Sequence, residues 1–275
     1  MIFTSHFPTI TLSLRAIVLG TLFLLLPQLS LAGISLTPSF VSVKMDSGKR
    51  RVSGKFEIAN TGDTEERYRV KANHFVFHED GSFSVMKPDA NSLASWIKFN
   101  PKEFALAPNS KRTVRYTIIP RVKAENGHYW GVMELESLVP VAHTQKLDET
   151  NLTINFAQSI LVPMYAAVGE LSYKGEIENV KLEKGDVDGQ QLLKIVIANL
   201  SNGALFLSGK YKLTSKSGET VHEDKLSGGV ILPEMKREYL TKLSPEIEPG
   251  QYAMHIEYFA PDLKEKLTKE LTFNR

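Results

Sequence analysis

The chain has 275 residues, a length that fits about two domains. Lysine and arginine number 33 against 31 aspartates and glutamates, a net charge of +2, which excludes a nucleic-acid binder working through one large basic face. Hydrophobic residues at 42% and charged residues at 23% are globular proportions, and the absence of cysteine excludes disulfides, thiol catalysis, cysteine-ligated zinc and a lipidated cysteine.

At the amino terminus Arg15 is the only charged residue before Lys44, with histidine counted as neutral. An apolar run from Ala16 to Leu26 follows, then Pro27, then Ser30-Leu31-Ala32. A positive start, a short apolar core and a small-x-small ending predict a secretory signal over residues 1–32, cleaved after Ala32. The run is shorter than the about 20 apolar residues a membrane span needs. The remainder is expected to be exported, periplasmic and free of an integral membrane span.

The rest of the chain reads as strands and turns. Phe56 and Ile58 alternate with Lys55, Glu57 and Ala59 before Asn60-Thr61-Gly62 turns the chain. Phe75 and Phe77 follow, ended by Asp80-Gly81, and Val114, Tyr116 and Ile118 alternate up to Pro120. Pro140 to Asn151 lacks periodicity and is expected to be a long loop. Leu152, Ile154 and Phe156 then alternate strictly with polar or small residues, and the run from Ile160 to Val168 is almost continuously apolar. Beyond Gly169, Leu193, Ile195 and Ile197 alternate, as do Tyr211 and Leu213. Leu263–Leu271 fits a short helical stripe or a final strand. The pattern predicts an all-β protein of two immunoglobulin-like sandwiches, residues 33–168 and 169–275.

An internal repeat supports two copies of one layout. Ile58-Ala59-Asn60 returns as Ile197-Ala198-Asn199, Pro108-x-x-Lys111-Arg112 as Pro233-x-x-Lys236-Arg237, and Gly127-x-Tyr129 as Gly250-x-Tyr252, all in the same order. The last pair predicts a structural tyrosine corner in each domain, with Tyr129 and Tyr252 turning their hydroxyls back to the preceding backbone.

The first domain resembles the amino-terminal domain of the periplasmic pilus-assembly (PapD-like) chaperones. The likeness spans about residues 33–168 and rests on Gly33-Ile34-Ser35-Leu36, Phe56-Glu57-Ile58-Ala59-Asn60-Thr61-Gly62, Glu79-Asp80-Gly81 and Trp96-Ile97-x-Phe99-x-Pro101. Pro108-Asn109-Ser110-Lys111-Arg112-Thr113-Val114-Arg115 and Tyr129-Trp130-x-x-Met133-Glu134-Leu135-Glu136 complete it. The resemblance implies that the domain's last strand pairs with a pilin-like exported subunit that lacks a strand, its alternating apolar side chains filling the exposed groove. Leu152, Ile154 and Phe156 fall on that strand. The family also anchors the subunit's terminal carboxylate with an arginine and a lysine. Here Phe40 stands where the arginine would be and Leu161 near the lysine position, so the resemblance implies a divergent member without the basic pair.

Other features have plainer readings. His74 and His78, with Glu79 or Asp80 near, offer two metal ligands but no third at suitable spacing. Asp186-Val187-Asp188-Gly189 reads as a hairpin turn rather than a calcium loop. Lys49-Arg50-Arg51 reads as a solvated hairpin edge. Asn151-Leu152-Thr153 and Asn199-Leu200-Ser201 match the glycosylation acceptor pattern without further support. Trp96 is expected in the core, whereas Trp130 suits either the core or a binding surface. No nucleophile-elbow, paired-carboxylate, phosphate-loop or His-Glu-x-x-His pattern occurs, so neither catalytic residues, cofactor, metal nor nucleic acid are expected. The leading expectation is a chaperone-like protein that binds exported subunits by edge-strand pairing, with self-association through the same edge as a further possibility. The alternative is a non-catalytic scaffolding module of the envelope, in which the three apolar residues are ordinary core.

Overall fold

The computed structural model describes residues 33–45, 51–121, 124–147, 150–156, 158–186, 190–244 and 247–274, with backbone alone over 141–155. The expected signal segment, Lys49-Arg50 and Val187-Asp188-Gly189 lie outside the described residues. The described chain contains strands and turns and no α-helix. The first core is built from β1 (Ile34–Thr37), β2 (Val41–Met45), β3 (Val52–Asn60), β4 (Glu66–Phe77), β5 (Phe83–Met86), β6 (Ile97–Asn100), β7 (Glu103–Leu106), β8 (Lys111–Ile118), β9 (Gly127–Ser137) and β12 (Ser159–Val168). Between the last two lie β10 (Val141–Leu147) and β11 (Thr150–Phe156). The second core is built from β13 (Gly175–Lys184), β14 (Gln191–Asn199), β15 (Leu205–Thr214), β16 (Thr220–Ile231), β17 (Lys236–Lys242), β18 (Gln251–Phe259) and β19 (Leu267–Asn274).

Each core lies between two sheets. In the first, β1-β3-β8-β6 faces β2-β12-β9-β4-β5, with β7 also paired to β4. In the second, β13-β14-β17 faces β16-β15-β18-β19. The two domains therefore share one strand order, β1-β3-β8 matching β13-β14-β17 and β12-β9-β4 matching β19-β18-β15. This is the immunoglobulin-type arrangement of two packed sheets, antiparallel except where β2 runs parallel to β12. Leu263–Leu271 enters it as an edge strand from Leu267 onward.

The repeated tripeptides occupy matching corners and do matching work. Asn60 and Asn199 are both buried at strand ends. The Asn60 Nδ2 donates to the carbonyls of Thr64, Leu106 and Ala107, while its Oδ1 accepts from Gly62 N–H. Asn199 Nδ2 donates to Gly203, Ile231 and Leu232, and its Oδ1 accepts from Ser201 N–H. One side chain thus satisfies backbone groups that water cannot reach, which is why a polar residue sits in each core. After the two prolines, Asn109 and Glu234 both turn through positive φ, at 52° and 60°. The Tyr129 hydroxyl donates to Glu125 O at 3.1 Å, and the Tyr252 hydroxyl to Glu248 O at 3.0 Å.

The stretch expected to be a loop is instead half of a ribbon: Val141–Leu147 pairs antiparallel with Thr150–Phe156. That two-stranded ribbon joins neither sandwich sheet. A ribbon of this kind need not bury one face, so nothing in its sequence forces period-2 alternation on β10.

Asn199→Ala is expected to lower unfolding free energy by about 1–3 kcal/mol, since buried carbonyls lose their donor. Asn199→Asp, which keeps the shape and removes the donor, should cost at least as much; urea denaturation measures both. An aspartate as stable as the parent would show that the carbonyl network is unimportant.

Candidate strand-pairing edge and domain junction

The run from Ile160 to Val168 is apolar throughout because β12 is covered on both faces. Val162, Met164 and Ala166 point into the first core with Ile160 packed beside them. Tyr165 and Leu161 point the other way, into a third apolar cluster shared by the two domains. The same alternation divides β9: Tyr129, Met133 and Leu135 face the first core, whereas Trp130 and Val132 face the junction. On β4, Tyr68 and Val70 face the core, and Phe75 faces the junction with Phe77 packed beside it. The second domain supplies Ala204, Val230 and Leu232, with Phe206 and Met235 at the margin.

Directional contacts lock this junction. Trp130 Nε1 donates to Phe75 O at 2.8 Å, and the Tyr165 ring meets Phe206 edge-to-face at 5.2 Å. The Arg237 guanidinium lies 4.5 Å from the centre of the Phe77 ring and donates to Val230 O at 2.9 Å, a cation–π contact reinforced by a hydrogen bond. The Glu238 N–H donates to Glu79 O, so strand β17 is tied to the turn after β4. The His128 N–H donates to Asn202 O at 2.9 Å, while His128 Nδ1 accepts from Ala204 N–H at 2.7 Å. Burial pushes the His128 imidazole down to about 4, opposed by the Asp262 carboxylate. Burial likewise pushes the Tyr165 phenol up, with Arg237 opposing it. A neutral His128 is the form this contact needs, because a protonated Nδ1 has no lone pair to offer Ala204.

The edge expected to bind a partner begins on the same strand. β2 runs parallel to β12 only from Met164↔Val41 to Val168↔Met45. On its other side β12 pairs with β9 from Ser159↔Glu136 onward. Among the described residues, the outer edge of Ser159–Pro163 therefore has no strand beside it. Just upstream, β11 pairs with β10 alone, Leu152 opposite Gln145, Ile154 opposite His143 and Phe156 opposite Val141. Between the two paired stretches, Leu138-Val139-Pro140 belongs to no strand, and Ser137 N–H donates to Gln158 O at 2.8 Å. Pro140 lacks an N–H and falls in this break, where a ladder bond is not required.

Of the three expected binding residues, Phe156 is 51% exposed and belongs to no core. The side chains of Leu152 and Ile154 lie outside the described residues. Phe40, where the resemblance would place the anchoring arginine, is 56% exposed between β1 and β2, and Leu161 packs against the junction. His74 and His78 do not converge. Buried His74 has Nδ1 3.4 Å from Trp130 O, and its Nε2 lies 3.1 Å from Asp89 without hydrogen-bond alignment. His78 Nε2 instead pairs with Ser84 Oγ at 2.8 Å. The described residues contain no cluster of three metal-ligating side chains. Trp96 is buried in the first core and Trp130 in the junction. The roles of His128 and Arg237 were missed by sequence reasoning: one lay inside the tyrosine motif, the other inside the Pro-x-x-Lys-Arg repeat.

No protein-family model matches the chain, and no curated protein matches it in sequence. Among solved structures, it is similar to a chain from the chaperone–tip adhesin complex of CFA/I fimbriae biogenesis, at 12% identity over 88% of this chain and 98% of the other, with a TM-score of 0.46. It is similar to the class 5 fimbriae chaperone CfaA, at 12% identity over 86% and 98%, with a TM-score of 0.45. It is also similar to the YadV chaperone, at 9% identity over 87% and 99%, with a TM-score of 0.45. Among the described residues no helix is long and apolar enough to cross a membrane.

The His128 contact gives stability a pH dependence of definite sign. The folded imidazole titrates near about 4 and the unfolded one near 6.5, so the unfolded chain binds the proton first as pH falls. Stability is expected to drop between about pH 6.5 and 4, by up to about 1.4 kcal/mol per pH unit from this group. His128→Asn offers Ala204 an acceptor of similar reach and removes the titration, so its denaturation midpoints should lose this part of the slope. An unchanged slope would remove His128 as its source.

Proposed function

We propose that the chain is an exported, periplasmic chaperone-like protein that holds a pilus- or fimbrial-type subunit by edge-strand pairing, without a catalytic step. The observation that carries this reading is a free edge on β11 and another on Ser159–Pro163, the latter in a sheet whose two faces are already covered. A bare edge invites pairing with another chain. Strand addition uses the edge for backbone hydrogen bonds and alternate side chains for selectivity, and Leu152, Ile154 and Phe156 stand at alternate positions of β11. The resemblance of residues 33–168 to the pilus-assembly chaperones supports the same partner class. The exposure of Phe156 weighs against the scaffolding alternative, which needs that ring in a core.

With neither Phe40 nor Leu161 able to bind a carboxylate, affinity in this reading rests on backbone pairing and apolar contacts. Binding of the client should therefore change little between low and high salt. Tagged protein recovered from its own periplasm is expected to carry a small exported partner. Ile154→Asp should reduce that recovery by at least about tenfold, because a charge would be carried into an apolar groove. The ribbon pairs with no strand of either sandwich, so thermal unfolding of the variant should match the parent. Equal recovery from both proteins, or recovery of the chain alone, would replace this reading with the scaffolding one.

A further inference from the structure

The two domains close their seams differently. In the first, the edge strand β12 is covered along Met164–Val168 by the parallel strand β2, whose Val41 and Met45 are buried. Its counterpart in the second domain is β19, which pairs with β18 alone. The counterpart of β1 is β13, which pairs with β14 alone. Among the described residues no strand occupies, beside β19, the place that β2 holds beside β12. A groove of 570 Å3 lies at the first residues of the two free edges, Gly175–Ile177 and Leu267–Lys269, and extends over the preceding Leu263–Lys266.

The floor of this groove is apolar, with Ile177 from β13, Leu267 from β19 and Leu263 and Tyr173 beside them. Its rim is basic: Lys174, Lys264, Lys266 and Lys269 stand against Glu176 and Glu265. Lys266 is paired with Glu257, whereas Lys174, Lys264 and Lys269 make no ion pair among the described residues. We propose that the β13–β19 seam is a second strand-accepting site, which takes an acidic extended segment of a partner protein parallel to β19, where β2 lies in the first domain. Backbone groups of β19 would supply the ladder and Ile177 and Leu267 the contacts for alternate apolar side chains. The free lysines select acidic flanks and disfavour a second copy of this edge, which would bring its own lysines. The site is separate from the β11–β12 edge, and neither proposal requires the other.

The probe is a fluorescein-labelled peptide, Asp-Val-Ser-Val-Glu-Val-Asp, titrated into the chain without its signal segment and followed by anisotropy and hydrogen exchange. Saturable binding with new protection in β19 is expected. The exposed triple variant Lys174→Glu/Lys264→Glu/Lys269→Glu should bind at least about tenfold more weakly while unfolding at the same temperature. The Ile154→Asp variant should bind the peptide as the parent does, which separates this site from the client edge. A peptide with lysine at the acidic positions should not bind. Absence of saturable binding, protection confined to β12, equal binding by the triple variant, or concentration-dependent self-pairing of β19 without peptide would each overturn the proposal.

Discussion

The structure depends on one sheet being buried on both faces. β9 and β12 pair along Ser159–Val168, and their side chains go alternately to the first core and to the domain junction. Burial of apolar area holds each face, and neither face leaves β12 free to change register, since a one-residue slip would exchange Val162 and Met164 for Leu161 and Tyr165. A strand fixed in this way presents its remaining edge in a constant geometry. The junction reaches that edge through Leu161, which packs against it.

The polar bonds at the junction explain why the two domains meet in one arrangement. Apolar contact alone is non-directional. His128, Asn202 and Ala204 add hydrogen bonds with fixed angles, and Arg237 laid on Phe77 positions β17 against the turn after β4. Gly169, at φ +65°, lets the chain turn out of β12 into the second domain. The buried asparagines do comparable work within each sandwich, binding the end of one strand to the corners around it. The internal repeat thus preserves the parts that organise backbone, while the surfaces of the copies diverge.

Much of the sandwich architecture was legible in the sequence, because half-buried strands write their burial as period-2 alternation. Phe56 and Ile58, Val114 and Ile118, and Leu193 and Ile195 are all core residues. The run at Ile160–Val168 was visible only as almost continuously apolar, because its second cover comes from Ala204, Val230 and Leu232 far along the chain. His74 and His78 flank Phe75-Val76-Phe77 and read as polar-side or metal-binding. The structure turns Phe75 toward the second domain, which leaves His74 on the covered side beside Trp130. The ribbon of β10 and β11 was half visible, since only β11 alternates. The open seam beside β19 could not be read at all, because an unfilled place in a sheet leaves no pattern in the residues around it.

Among the described residues the outer edge of Ser159–Pro163 is free, and the proposed function requires a strand to add there. Residue-resolved amide exchange of the free protein tests this most directly. Amides of Met164–Val168 are expected to exchange slowly throughout, being paired on both sides. Over Ser159–Val162, slow exchange at amides directed to β9 should alternate with fast exchange at those directed outward. Uniformly slow exchange along the whole strand would show that the edge is already covered, and would contradict the account.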